Sequence, residues 1–158
     1  MGYERGAVPV GSLKALPQGE ARLIRTLRMW CAGPDHQAEV WAEMCERLGG
    51  VRARQGLKQF EALVGLMIEH GRRPMMRHGV ACDCVGADEA IFAHFVAAAA
   101  SGDRDEAVLL ASLLVRADLA LHAVSSAELV GLMVMGEGGR TEAPDCAAPQ
   151  APHGATLH

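Results

Sequence analysis

Two cysteines and a histidine stand close together in one segment of the sequence, between two predicted helices. Within residues 70–89, Cys82 and Cys84 flank a single aspartate, and His78 precedes the first thiol by four residues. Thiolate sulfur and imidazole nitrogen are common ligands of zinc, and a thiol with a lowered pKa can react with disulfides. This segment therefore carries the residues best suited to metal or thiol chemistry.

A structural or regulatory zinc site is the first hypothesis for this segment. Zinc takes about four ligands in a tetrahedral arrangement, and His78, Cys82 and Cys84 would supply three of them. His70, at the predicted end of the preceding helix, or His94, in the following helix, is the candidate for the fourth. An extended backbone would point the two thiols apart, so a zinc site requires a turn here.

Two other metal centres use the same sulfur atoms. The thioethers of Met75 and Met76 would favour Cu(I) if they turned inward with the thiolates. An iron–sulfur cluster needs about four cysteine ligands in most cases. The fold would have to bring distant parts of the chain together to provide these ligands, which would be Cys31, Cys45, Cys82 and Cys84.

Thiol redox chemistry requires no metal. Cys84 precedes a predicted helix start, where the helix dipole stabilises a thiolate, and neighbouring arginines act in the same direction. Asp83 opposes ionisation, and a disulfide between residues separated by one position would be strained. Simple packing is the competing interpretation, because free cysteines are among the residues most often buried.

The composition predicts one all-α domain. The chain has 158 residues, half of them apolar, and these are mainly Ala, Leu, Val and Met rather than aromatic residues, which favours helix over sheet. Residues 1–81 carry twelve Lys or Arg against eight Asp or Glu, and residues 82–158 carry three against eleven. A pI near 5.9 is not typical of nucleic-acid-binding domains, so a nucleic-acid partner is not expected.

Hydrophobic periodicity predicts an irregular bundle of five to six short helices over residues 17–135. The expected helices begin near residues 17, 35, 51, 87, 103 and 118. Residues 1–16 and 136–158 lack periodicity and are rich in Gly, Pro and small residues, so both are expected to be flexible ends. The last apolar run, residues 129–135, could be core, a self-association surface or a short strand.

The arginines at positions 22, 25 and 28 are expected to form a solvated basic stripe opposite the apolar face of the first helix. Asp88 and Glu89 are interpreted as favourable charges at a helix start. No segment resembles a signal peptide or approaches the length of a membrane span, so a cytoplasmic protein without a membrane partner is expected. No familiar enzyme motif occurs in the sequence, which favours a non-enzymatic role.

The segment from Met76 to Glu89, together with Trp30 to Pro34, resembles a group of small helical bacterial proteins that share a Cys-x-Cys-x-Gly-Ala-Asp-Glu segment. The resemblance covers about residues 20–130. It implies an all-helical cytoplasmic protein and carries no activity or site residues with it.

Together these patterns predict a regulatory module that binds a metal, zinc first, or bears reactive thiols. A metal-free interaction module is the second hypothesis, with a protein partner or a second copy bound through the apolar C-terminal helix or the arginine face. A thiol redox protein that uses Cys82 and Cys84 is the third.

Overall fold

The computed structural model describes residues 3–136, and their architecture is mostly helical, which confirms the all-α prediction. The α-helices of this part of the chain are α1 (Tyr3–Ala7), α2 (Gln18–Ala32), α3 (Pro34–Leu48), α4 (Gly50–His70), α5 (Ala87–Ser101), α6 (Arg104–Leu114) and α7 (Ala120–Val130). Short 3₁₀ turns cover Leu13–Ala15 and Ala117–Leu119, and a π-helical turn, Gly131–Met135, follows α7.

Glycines separate the helices where the sequence predicts breaks. Gly33 and Gly49 have φ angles of 125° and 79°, and they connect α2 to α3 and α3 to α4 without a longer loop. Gly102 is left-handed, with φ of 83°, and ends α5. Because left-handed conformations cost little without a side chain, these glycines allow three sharp reversals of the chain.

Helix α5 lies at the centre of the bundle. It packs against α2, α6 and α7, and α7 in turn packs against α4. Phe92, Phe95 and Val96 of α5 are fully buried in the main core. Gly131 lies so close to α5 that an added Cβ would stand 2.5 Å from the Cβ of Ala100, so the bundle depends on a small residue at this contact.

The N-terminal segment differs from the expected flexible end. After α1, strand β1 (Pro9–Ser12) pairs antiparallel with β2 (Cys84–Gly86). Leu13 is buried in a small second core with Ile24 and Val85. The segment is too short for a repeating hydrophobic pattern, and single residues such as Leu13 make its core contacts. Hydrophobic periodicity therefore does not detect it. Of the expected C-terminal tail, residues 137–158 lie outside the described part of the chain.

The apolar run near the C-terminus is helical rather than a strand. Val130, Gly131 and Val134 are buried, whereas Leu129 and Leu132 are exposed. Ala117–Met135 is also long and apolar enough, by length and composition, to cross a membrane, which differs from the expectation that no segment reaches that length. Core helices of soluble proteins pass the same test, and the inner face of this one packs on α4 and α5.

Candidate functional site

Arg28 is buried beneath residues 70–89, the cysteine segment, whereas the sequence predicted that it would lie on a solvated basic stripe. Only 1% of the Arg28 surface is exposed to solvent. Its guanidinium group makes five hydrogen bonds, as many as it has N–H donors. Two go to Glu89, from Nε to Oε1 at 2.7 Å and from Nη2 to Oε2 at 2.8 Å. The other three go to backbone carbonyls of the cysteine segment.

Those carbonyls belong to Gly79, Cys82 and Cys84. Nη1 of Arg28 donates to the Gly79 oxygen at 3.3 Å and to the Cys82 oxygen at 2.6 Å. Nη2 donates to the Cys84 oxygen at 2.5 Å. A turn hydrogen bond, from the Cys82 N–H to the Gly79 oxygen at 3.0 Å, closes the segment around the guanidinium. The backbone oxygens therefore face the core at three points of one short loop.

Glu89 completes this arrangement from the first turn of α5. Its carboxylate accepts backbone N–H groups from Gly86, at 2.9 Å, and His78, at 3.1 Å, as well as the two bonds from Arg28. Burial acts to raise the pKa of Glu89, but the hydrogen bonds from Arg28, Gly86 and His78 outweigh it, and the pKa is lowered. The expected favourable charge at a helix start is present, yet the same carboxylate is also the buried partner of Arg28.

A second carboxylate fixes the start of the loop. Asp88 accepts a bidentate pair of hydrogen bonds from Arg73 and the backbone N–H of Met76, the latter at 2.8 Å. Its side chain is 4% exposed, whereas that of Arg73 is 41% exposed. Asp88 and Glu89, two adjacent residues of α5, thus hold both halves of the segment between α4 and β2.

His78 and Cys82 form a direct side-chain pair on this loop. The Cys82 Sγ lies 3.6 Å from Nδ1 of His78, and Nε2 of the same ring lies 2.9 Å from the Ala7 carbonyl oxygen. A carbonyl oxygen can only accept, so Nε2 carries the hydrogen and Nδ1 of the neutral ring is an acceptor. In that neutral tautomer, Nδ1 is in position to accept the proton of the Cys82 thiol.

Cys84 is exposed. A hydrogen bond to Cys82 raises the pKa of the Cys84 thiol, and negative charge on Cys82 and Asp83 acts in the same direction, while Arg28 opposes them. The backbone around Cys84 begins β2, and the side chain of Asp83 bonds Ser12 of β1 at 3.2 Å.

The two histidines predicted to complete a zinc site have other partners. His70 lies 3.8 Å from Glu69, and His94 lies 4.0 Å from Glu20. Within residues 3–136, no group of three or more His, Cys, Asp or Glu side chains is arranged to hold a metal ion. The structure therefore brings Cys82 and His78 into direct contact and leaves His70 and His94 on the bundle surface.

The remaining described cysteines belong to the helices. Cys45 is buried in the main core, and Cys31 is half-buried near the end of α2. Burial raises the pKa of the Cys31 thiol, and Arg77 acts to lower it. Neither residue belongs to a described group of potential metal ligands. The four cysteines considered as iron–sulfur ligands therefore lie in different surroundings.

No known protein family, curated protein or solved structure matches this chain.

Proposed function

We propose that this protein is a thiol-bearing regulatory module. Cys82 is the reactive thiol, His78 accepts the proton of that thiol, and Cys84 is a neighbouring thiol that interacts with Cys82. The observation that carries the proposal is the Cys82 Sγ to His78 Nδ1 contact of 3.6 Å, in a ring whose other nitrogen is bound to the Ala7 carbonyl. A thiolate rather than a thiol is the nucleophile in disulfide exchange, so a thiol with an adjacent proton acceptor is suited to that reaction.

The proposed reaction is reversible exchange with a small disulfide, R–S–S–R. The Cys82 proton moves to Nδ1 of His78, and the Cys82 sulfur attacks one sulfur of the disulfide. The S–S bond breaks, a Cys82–S–S–R bond forms, and the departing R–S⁻ takes the proton from His78. The external disulfide supplies the oxidising equivalents, and the second R group leaves as a thiol.

Charges around the loop favour this reaction at Cys82 over Cys84. The pKa of the Cys84 thiol is raised, above all by its interaction with Cys82, and a thiol with a raised pKa supplies less of the nucleophilic thiolate at a given pH. The guanidinium of Arg28 lies close enough to both thiols to interact with them electrostatically. Because Arg28 also fixes the carbonyls of Cys82 and Cys84, the sulfur atoms are held on a loop of fixed backbone geometry.

Reaction with oxidised glutathione, followed by peptide mass spectrometry, tests this proposal. We expect the glutathione adduct to form first at Cys82. His78→Gln should slow the reaction at Cys82 by at least tenfold, below the roughly 10²- to 10⁴-fold effect typical of a positioned base. His94→Gln, which removes an exposed histidine elsewhere, is the matched control and should leave the rate unchanged. Equal rates at Cys82 and Cys84, or an unchanged rate in His78→Gln, would refute the proposal.

A zinc site is a second candidate function, because one distance in the loop fits it. Bond lengths of about 2.3 Å to sulfur and 2.05 Å to nitrogen place two tetrahedral zinc ligands about 3.6 Å apart, which is also the separation of Cys82 Sγ and His78 Nδ1. Cys84 would have to turn towards the same centre, and a fourth ligand would have to come from His70, His94 or solvent. Metal analysis of protein purified without an affinity tag should then find one zinc, copper or iron ion per chain; less than a tenth of that amount would exclude this candidate.

A further inference from the structure

An open cavity of about 480 Å³ lies between α2, α4 and the loop that follows α4. Its floor is apolar and includes Leu27, Val64 and Met67. Ile68, at the mouth, is 76% exposed. This volume is within the range of about 300–1,000 Å³ that is typical of small-molecule sites, which are largely apolar with a few polar groups.

The polar groups of this cavity are arginines. Arg72, Arg73 and Arg77 all line it. Asp88 neutralises Arg73, but among the described residues no carboxylate lies within ion-pair distance of Arg72 or Arg77. The cavity therefore joins an apolar floor to two guanidinium groups whose charge is not balanced locally.

Backbone carbonyls hold both of these arginines in place. Nε of Arg72 donates to the Val115 oxygen at 3.3 Å, and Nη2 of Arg77 donates to the Cys31 oxygen at 3.3 Å. Each guanidinium keeps further N–H groups that donate to no acceptor in the described part of the chain. These groups can form charge-assisted hydrogen bonds to an anion.

We propose that this cavity binds a small anionic amphiphile, with its apolar body on the floor formed by Leu27, Val64 and Met67 and its carboxylate on Arg72 and Arg77. Charge complementarity selects the headgroup, because a neutral or cationic group would leave both arginines uncompensated. The site is separate from the proposed thiol chemistry, since His78, Cys82 and Cys84 do not line the cavity.

Calorimetric titration with decanoate, kept below its micelle concentration, tests the proposal directly. We expect saturable binding of one decanoate per chain, and at least tenfold weaker binding of decanol and decyltrimethylammonium, which share the chain length but lack the negative charge. Binding of all three with equal affinity would overturn the assignment of an anionic ligand. Absence of saturable decanoate binding would overturn the site itself.

Two variants locate the headgroup and the chain. Arg72→Gln/Arg77→Gln should weaken decanoate binding by at least tenfold, because the charge-assisted hydrogen bonds to the carboxylate are lost. Arg25→Gln/Arg104→Gln makes the same change of net charge at exposed sites outside the cavity and should bind as the wild type does. Equal affinity of the two double variants would refute the headgroup assignment.

The thiol of Cys31 reports on the cavity independently. Cys31 lines the wall, so decanoate should slow its alkylation, measured on the Cys31 peptide. Ile68→Glu, a change at an exposed mouth position that places a negative charge beside the ligand, should abolish this protection while the fold, followed by circular dichroism, is unchanged. Protection that persists in Ile68→Glu would contradict the proposed placement.

Discussion

Replacing Glu89 by glutamine should strongly destabilise the protein, because Arg28 would lose the only charged partner that the structure describes for it. Both side chains of the pair are fully buried. The Oε1 atom of Glu89 accepts from Arg28 Nε and the His78 N–H, and Oε2 accepts from Arg28 Nη2 and the Gly86 N–H. In either orientation, the amide NH₂ of Gln would therefore face two donors.

Removing one partner of a buried ion pair typically costs about 3–5 kcal/mol, since an uncompensated charge stays inside the protein. That is a large part of the roughly 5–15 kcal/mol that stabilises most domains. For a chain of this size, 1 kcal/mol corresponds to about 2–4 °C in Tm. Glu89→Gln should therefore lower Tm by about 6–20 °C.

Urea unfolding, followed by circular dichroism, measures this loss as a free energy. Asp118→Asn is the matched control, because it makes the same acid-to-amide change in an exposed pair with Arg116, where less than about 1 kcal/mol is expected. If Glu89→Gln unfolds with a free energy within about 1 kcal/mol of the wild type, Arg28 and Glu89 do not hold the loop as described.

Three further predictions concern Glu89, two glycines and Cys84. The pKa of Glu89 is lowered in the folded protein, so the contribution of this carboxylate to stability is complete above the ordinary glutamate pKa of about 4.3 and is lost as the pH falls through the lowered pKa. Tm should therefore fall more steeply below about pH 4 in the wild type than in Glu89→Gln. Parallel curves of Tm against pH would contradict this. Gly131→Ala should destabilise the protein by about 1–3 kcal/mol through overpacking against Ala100. Gly65→Ala, at a helix position with open space around it, should instead stabilise the protein by up to about 1 kcal/mol. Urea unfolding measures whether each free energy of unfolding falls or rises. Alkylation of Cys84 should require a higher pH than an ordinary thiol near 8.5, and Cys82→Ala should shift its pH profile downwards, with an unchanged profile as the contrary result.

Helix periodicity predicts most of this fold from the sequence. The predicted starts of α2 to α6 fall within one residue of the observed ones. Glycines that follow α2, α3, α4 and α5 mark the ends of these helices. The pairing of β1 with β2 could not be predicted in this way, because each strand has only three or four residues. The pairing joins distant parts of the chain, and Leu13, which follows β1, packs in the second core with Val85 of β2.

The burial of Arg28 is the main feature of the site that residue types alone did not indicate. An arginine is rarely buried without a partner, and its partner, Glu89, is 61 residues away in the sequence. One signal was present: Arg28 follows Ile24 by four residues and directly follows Leu27, which places it at the edge of the apolar stripe of α2. Spacing of three between arginines indicated a basic face, but tertiary contacts decided where each one points.

The sequence predicted a meeting of candidate ligands in the cysteine segment, and the structure places Cys82 beside His78 there, but this geometry depends on distant residues. The Ala7 carbonyl, which sets the tautomer of His78, belongs to an N-terminal segment without periodicity. The turn that brings Cys82 beside His78 is held by Arg28 of α2. Neither contact is encoded in the spacing of His78, Cys82 and Cys84.

The tautomer of His78 is the most direct test of the proposed thiol site. Nitrogen chemical shifts of the His78 ring, measured by NMR at neutral pH, should show a hydrogen on Nε2 and a lone pair on Nδ1. Cys82→Ala should shift the Nδ1 resonance, since the thiol donates to that atom, while Nε2 should stay protonated through its bond to the Ala7 carbonyl. A ring with its hydrogen on Nδ1, or an Nδ1 shift that does not respond to loss of the Cys82 thiol, would contradict the account.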